Sequence, residues 1–474
     1  MRSLAPLLII LACGLFLLWF EVKNVLPSIS ISNVNKHIPS PPKLTHPPPL
    51  RNPRMDSTIC LSQPFRRNKF NYKLNRNEID SATLFDKLHA HQTTSIPNYS
   101  KFPSCDTAKF AITIFPGIGL AAALTYGPVK SFMAAIQSDR ILLILNGNPN
   151  VTRTDLGQLS SAWFMSSSGK VTEFFLPLSN CEVTAEEIDK AVFVGKGEYS
   201  AETGLGLKYA EDRIVVLEPG AEHSSKDDEA VIDVSKLIGR SGAANRNTYI
   251  TVIKLYVLRM NEETKKRVEG AVGKSLPSDF DSSATIGLPI RASDKCFAEA
   301  SCLSFSQYMQ IAQNVFEKEK EKDRGGELTN IILTSESKAI IDSRVEFESR
   351  FKFFVNENDA MQGSGRPKEY VDSKLKDAGI SLSDIMVSTL AALNLQLHSK
   401  VTIANCCSNF HKLLGQIWKF AGCGKEDYED ENWRCLDKVE DPELRICCFH
   451  GGKKDKMGCG GDHVVGSDHL NPLG

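Results

Sequence analysis

SATIGLPIRASDKCFAEASC occupies residues 283–302. Its first eight residues, 283–290, are almost continuously apolar, and the run stops at Arg291. Asp294, Lys295 and Glu299 follow, with Cys296 and Cys302 on either side of the last charge. A short apolar run without alternation reads as a strand buried on both faces, as in a parallel sheet. Charges crowded at its carboxyl end then sit where open α/β sheets present their ligands.

Moving outward, the pattern repeats. CFAEASCLSFSQYMQIAQNVFEKEKEK (296–322) reads as a loop and helix, and NIILTS (330–335) as a strand. SKAIIDSRVEF (337–347) reads as a helix, FKFFVN (351–356) as a strand, and SDIMVSTLAALNLQLH (383–398) as a helix. VTIAN (401–405) is a strand again, and SNFHKLLGQIWKF (408–420) a helix. Strands alternating with helices predict a doubly wound parallel sheet. Ser408 follows VTIAN as Arg291 follows SATIGLPI, so two strand ends point to one crevice.

The preceding half has the same alternation in weaker form. FAITIFP (110–116), RILLILN (140–146), TEFFLPL (172–178), AVFVG (191–195) and RIVVLEP (213–219) are expected strands. GIGLAAALTYGPVKSFMAAIQS (117–138) and a long segment from about Tyr249 to Val272 are expected helices. From Cys423 the character changes to charge, cysteine and little periodicity.

A chain of 474 residues exceeds one core, so two or more domains are expected. A net charge of −1 argues against nucleic acid as a main partner, and any anion site must be local. Residues 4–20, LAPLLIILACGLFLLWF, are continuously apolar, with Arg2 before them and Glu21 and Lys23 after. The large residues Leu18-Trp19-Phe20 fit a signal-peptidase cut poorly, and the run continues past Cys13, so a signal anchor fits better than a cleaved leader or a lipoprotein. Residues 27–53 carry eight prolines and read as an extended stem. The expected plan is a cytoplasmic end (1–3), an anchor (4–20), a stem (21–57), an amino-terminal Rossmann-like half (58–275), a carboxyl-terminal Rossmann half (276–420) and a Cys-rich tail (421–474). The head would then be luminal. The Asn98-Tyr-Ser100 and Asn150-Val-Thr152 glycosylation triplets, and twelve cysteines outside the anchor, agree with that.

Chemically, Arg291 offers a planar fork of donors suited to phosphate oxygens. Ser408 opens a helix, whose free N–H groups favour an anion. Together they outline a pyrophosphate cradle that needs no metal. Asp294 can hold Arg291 or Lys295, and Glu299 can take a proton from an incoming hydroxyl with Lys295 setting its pKa. Taken alone, such a charge cluster reads as a solvated salt-bridge network. Gly117 and Gly119 open a helix after a strand, but RILLILN ends in Asn146 rather than the acid a dinucleotide site uses, so they read as a close backbone approach. No Walker-type loop and no His-Glu-x-x-His occurs. Asp279-Phe-Asp281 reads as a surface turn. Cys447, Cys448, His450, Cys459 and His463 have ligand-like spacing for zinc, but disulfides suit a luminal tail better. Cys296 and Cys302 could close a ring around the charged loop or pair elsewhere.

IRASDKCFAEASCLSFSQYM (290–309) resembles the signature of the GT-B fucosyltransferases, in particular the alpha-1,6-fucosyltransferase-like group. Arg291, Ser293-Asp294-Lys295, Glu299 and Tyr308 fall on its spacing. ILTSES places Ser335 and Glu336 where the group carries two aspartates, and VTIANCCSNFHKLL places Ser408 at its phosphate-contacting serine. The resemblance spans roughly Phe110 to Phe420. The chain departs at Ala292 (the group's second Arg), Pro289 (a nucleotide-pocket His) and Ala392 (a helix Asp).

The resemblance implies a GT-B fold, two Rossmann-like domains facing a crevice, and metal-free inverting transfer from GDP-fucose to a glycan or glycoprotein. Arg291 and Ser408 would receive the departing diphosphate. Glu299, coupled to Lys295, would be the base. Ser293, Asp294, Tyr308, Ser335 and Glu336 would line the donor site. The anchor, stem and head layout is that of a single-pass type II membrane protein, and the expected location is the Golgi membrane. The rival expectations are a same-fold transferase with another sugar nucleotide, a degenerate luminal glycan-binding protein, and a Rossmann oxidoreductase built on Gly117 and Gly119.

Overall fold

The computed structural model describes residues 79–94, 100–115, 120–145, 173–220, 230–292, 302–321, 328–356, 381–420 and 433–435. The 4–20 segment, the stem, the glycosylation triplets and most of the tail lie outside them. Among the described residues no helix is long and apolar enough to cross a membrane. All described residues belong to one compact unit, 53–474.

The first sheet is fully parallel. Its strands are β1 (Phe110–Thr113), β2 (Ile141–Ile144), β3 (Val192–Val194) and β6 (Ile214–Leu217), in the order β2-β1-β6-β3. Two small antiparallel pairs stand beside it: β4 (Tyr199–Ser200) with β5 (Gly204–Leu205), and β7 (Val231–Asp233) with β8 (Ala243–Asn245). Arg140, at the entry to β2, is a buried cation used structurally. Its guanidinium donates to the carbonyls of Phe110, Arg213 and Tyr209, tying three chain segments together.

The second sheet is the one the 283–302 stretch belongs to. β9 (Thr285–Ile290), β10 (Asn330–Ser335), β11 (Lys352–Val355), β12 (Val401–Ala404) and β13 (Trp433–Cys435) pair in the parallel order β11-β10-β9-β12-β13. That is the doubly wound arrangement, with its switch point between β9 and β12. All residues of β9 and β12 are buried, as their unbroken apolar runs require. β13 is supplied by the Cys-rich segment. Cys435 is clipped by a disulfide to Cys406, just beyond β12.

The helices follow local signals. In α1 (Ser81–Gln92) the Asp80 carboxylate caps by accepting the Thr83 N–H at 2.8 Å. α2 (Leu120–Tyr126) and α3 (Pro128–Gln137) replace the single helix expected over 117–138. The break falls at Gly127-Pro128, because proline has no N–H to continue the ladder and is welcome at a helix start. α4 (Ala185–Asp189) carries a complete capping box between Thr184 and Glu187, and α5 (Ser235–Ile238) ends on Gly239 at φ 72°.

The long helix expected from Tyr249 to Val272 is also two: α6 (Arg246–Val257) and α7 (Glu262–Ser275). Asn261 caps the second by accepting the Thr264 N–H at 2.8 Å. The same link corrects the expected strand TEFFLPL. Its described residues, 173–178, join no sheet. Instead Leu176 N–H donates to the Arg259 carbonyl at 2.6 Å, Asn261 N–H donates to Phe174 at 3.0 Å, and Phe175 makes an isolated bridge with Met260. Apolar content gave both segments their expected type, and the backbone pairing between them decided otherwise.

α8 (Phe305–Glu321), α9 (Lys338–Asp342), α10 (Leu382–Gln396) and α11 (Asn409–Phe420) connect the second sheet. SKAIIDSRVEF gives only the short α9, then a 3-10 turn over Ser343–Phe347. One apolar core runs from Leu84 and Phe132 through Tyr256 and Leu258 to Leu390, Leu413 and Trp418, so it belongs to both halves. α10 packs on α7, and α11 on α6 and α2. A second core, with Leu288, Leu333, Tyr308 and Ile403, fills the α8 face of the second sheet.

Candidate active site at the ends of β9, β10 and β12

The site begins with register. Ile290, the last residue of β9, pairs with Ser335, the last residue of β10. Arg291 and Glu336 therefore emerge side by side from adjacent parallel strands. Arg291 Nε lies 3.6 Å from Glu336 Oε1. The same oxygen accepts the Ala292 backbone N–H at 3.0 Å. The Glu336 side chain is 3% exposed and that of Arg291 21%, so the carboxylate anchors inside while the guanidinium reaches outward. Ser335 Oγ accepts the Ser337 N–H at 3.1 Å, which fixes the turn that aims Glu336.

Tyr308, in the first turn of α8, is buried against this core. Burial pushes its phenol well above the usual range, and the Glu336 charge pushes it further. It therefore remains a protonated donor near the carboxylate. Cys302, disulfide-bonded, places its Sγ 3.6 Å from the Arg291 carbonyl oxygen.

The β12 end contributes Asn405 to His411. Ser408 is buried, its N–H donates to the Asn405 carbonyl at 3.0 Å, and its own carbonyl accepts the Lys412 N–H at 2.9 Å, the first turn of α11. Asn405 Oδ1 accepts the Cys407 N–H at 3.0 Å. His411 is fully buried, with Nδ1 2.7 Å from the Asn405 carbonyl. Burial lowers its pKa to about 4; Arg291 lowers it as well, while the Asn405 hydrogen bond and Glu336 oppose. Arg291 and the Ala292 N–H thus share one buried carboxylate.

Of the residues singled out in the sequence, Arg291, Tyr308, Ser335, Glu336 and Ser408 lie at the carboxyl ends of β9, β10 and β12 or in the helices that follow. Ser293, Asp294, Lys295, Glu299, Gly117 and Gly119 lie outside the described residues, as do Asn98 and Asn150. The zinc-or-disulfide reading of the tail also falls outside them. His411 and Asn405 were missed. The available signal was His411 three residues beyond Ser408, on the face that also carries buried Leu414. Asp281 behaves as expected of a turn: its carboxylate accepts the Ser283 N–H at 2.7 Å.

The family model for alpha-(1,6)-fucosyltransferase N- and catalytic domains matches residues 233–393. Over those residues the chain is similar to the fucosyltransferases, a class of glycosyltransferase, and the match takes in the ends of both β9 and β10. No curated protein matches the chain. Among solved structures, fucosyltransferase NodZ from Bradyrhizobium is similar at TM-score 0.34 and 11% identity, over 65% of this chain and 93% of that one. POFUT1 in complex with GDP-fucose is similar at TM-score 0.36 and 8% identity, over 70% and 99%. Arabidopsis thaliana FUT1 in complex with GDP is similar at TM-score 0.33 and 12% identity, over 71% and 76%.

Proposed function

We propose that the protein transfers fucose from GDP-fucose to a glycan or glycoprotein hydroxyl, with inversion and without a metal. The observation that carries this reading is the placement of Arg291 and Ser408 at the carboxyl ends of β9 and β12, the two strands that flank the switch point. A diphosphate seated there meets the Arg291 fork on one side and the start of α11 on the other.

In the proposed step the acceptor oxygen attacks the anomeric carbon from the face opposite the nucleotide. The bond to the β-phosphate oxygen breaks, and GDP leaves with the electron pair. Arg291 and Ser408 stabilise the charge developing on that oxygen. Glu299, tuned by Lys295, takes the acceptor proton. Tyr308, Ser335, Glu336, Ser293 and Asp294 shape the donor site. By the sequence reading, the head works in the Golgi lumen on a single-pass type II anchor at residues 4–20, with glycans on Asn98 and Asn150.

A second reading keeps the fold and changes the donor. It is favoured by Ala292, whose side chain packs against the apolar core and whose N–H is taken by Glu336, so this position offers the ligand no second cation. A donor panel decides: release of nucleoside diphosphate from GDP-fucose, other GDP-sugars and UDP-sugars, with EDTA present, for wild type and Arg291→Ala. Release from GDP-fucose that survives EDTA and drops with Arg291→Ala supports the first reading. Release from another donor alone selects the second. A folded protein that turns over no donor with any glycan acceptor leaves the glycan-binding alternative.

A further inference from the structure

The carboxyl end of the first sheet carries a cation and an anion that grip one residue between them. Lys196 follows β3, Glu218 follows β6, and Lys130 lies in the first turn of α3, after β1. Lys130 Nζ donates to the Lys196 carbonyl at 2.8 Å, and Glu218 Oε2 accepts the Lys196 N–H at 2.9 Å. Tyr199 ties the two together. Its hydroxyl donates to the Glu218 carbonyl at 2.6 Å, and Lys130 Nζ stands 4.4 Å from its ring centroid. Burial raises that phenol to about 12, so it remains a donor. Gly220 passes close by: a Cβ there would lie 3.4 Å from Lys130 Nζ and 3.4 Å from the Tyr199 hydroxyl.

Both charges are half-buried, and among the described residues neither makes an ion pair, whereas the nearby Glu198 is paired with Lys208 at 3.1 Å. One carbonyl leaves an ammonium with further N–H groups, and one N–H leaves a carboxylate with further lone pairs. A hydroxyl accepts from the first and donates to the second, so neighbouring sugar hydroxyls suit both. An anionic ligand would meet Glu218, and a cationic one Lys130. The place agrees, because open α/β sheets take ligands beyond the carboxyl ends of their strands. Moreover α2, which leads from β1 to α3, packs on α11, the helix that starts beside Ser408. We propose that Lys130 and Glu218 form an acceptor subsite that binds neighbouring hydroxyls of a neutral glycan. The proposal rests on the transferase reading above.

The test uses the full chain with GDP present and an array of neutral and acidic glycans as the probe. Lys130→Met keeps the alkyl stem against Tyr199 and loses the ammonium. Glu218→Gln keeps an oxygen for the Lys196 N–H and loses the charge. Wild type should retain at least one neutral glycan, and each variant should hold it roughly tenfold more weakly, with GDP affinity unchanged by calorimetry. Retention at wild-type strength by either folded variant overturns the proposal. So does a wild type that binds GDP and retains no glycan, or one that retains only sialylated or sulfated glycans. Should a variant fail to fold, acetylation of Lys130 in wild type, read by peptide mass spectrometry, decides. The retained glycan should slow it severalfold, and an unchanged rate contradicts the assignment. A wild type that binds no GDP would sink the donor-site reading instead, and the glycan comparison, run without GDP, would still test the subsite.

Discussion

Glu336 Oε1 stands 3.6 Å from Arg291 Nε while accepting the Ala292 N–H at 3.0 Å, so one buried carboxylate fixes both the side chain and the backbone at the end of β9. The pair is asymmetric, with the anion inside and the cation reaching outward. That arrangement presents net positive character to a ligand while the supporting charge stays covered.

Glu336→Gln keeps an oxygen for the Ala292 N–H but removes the charge that orients Arg291. Donor turnover should fall roughly tenfold or more, with little change in Tm, because the buried hydrogen bond survives. Glu336→Ala should add a stability loss of about 1–3 kcal/mol, since the N–H loses its partner. Thermal unfolding alongside nucleoside diphosphate release separates the two. An equal Tm loss in both variants would contradict the assignment.

Gly287, in the middle of β9, leaves no room for a side chain. A Cβ there would press on Gln396 Oε1 and come 2.6 Å from Ser399 Oγ. Gln396 is held by its amide donating to the Ile332 carbonyl at 3.2 Å and to Thr334 Oγ1 at 3.0 Å. Gly287→Ala should therefore cost about 1–3 kcal/mol by displacing a buried network. Denaturant unfolding measures it, and a neutral result would mean that the end of α10 yields freely.

Lys254 on α6 is buried, donates to Gln416 Oε1 on α11 at 2.8 Å, and has its pKa lowered to about 7, first by burial and then by Lys412. An unfolded lysine keeps its ordinary value, so between about pH 7 and 10.5 the unfolded chain holds the extra proton and wild-type stability rises with pH. Below about pH 7 the folded state carries a desolvated charge at full cost. Lys254→Met should raise Tm most near pH 6 and progressively less toward pH 10, as ~2 kcal/mol or more of charge burial is relieved by deprotonation. A gain independent of pH would refute the assignment. The contact joins α6 of the first half to α11 of the second, so it also reports on how firmly the halves are held.

The two described disulfides differ in what they support. Cys105–Cys181 closes a separation of 76 residues and Cys406–Cys435 one of 29. By loop closure alone, removing the first should cost about 4 kcal/mol and the second somewhat less. Yet Cys406 lies between Asn405 and Ser408, next to the α11 entry. Its paired replacement by serine should reduce donor turnover more than its stability cost predicts, whereas the Cys105–Cys181 replacement should affect stability alone. Equal turnover at matched Tm would remove Cys406 from the site's support.

The second sheet was legible because its strands are apolar on both faces and separated by well-signalled helices. SATIGLPI, NIILTS, FKFFVN and VTIAN each mark a strand at the expected place. The strand-end logic reached Arg291 and Ser408 for the same reason, whereas Ser335 and Glu336 entered through the resemblance. Backbone partnerships were not legible. Nothing local says that TEFFLPL would pair with the link between α6 and α7, or that a tail segment at Trp433–Cys435 would complete the sheet beyond β12. Nor does sequence weigh an acceptor. Glu336 entered as one of several lining residues, and only strand register made it the common partner. His411 looked like any polar residue on an amphipathic helix until its burial left Nε2 without a hydrogen bond among the described residues.

The most direct measurement is a calorimetric titration of the full chain with GDP in EDTA, for wild type, Arg291→Ala and Ser408→Ala. The account predicts one site in wild type, at least tenfold weaker with Arg291→Ala and more modestly weaker with Ser408→Ala. Equal affinity for all three folded proteins would contradict a diphosphate seat between the ends of β9 and β12.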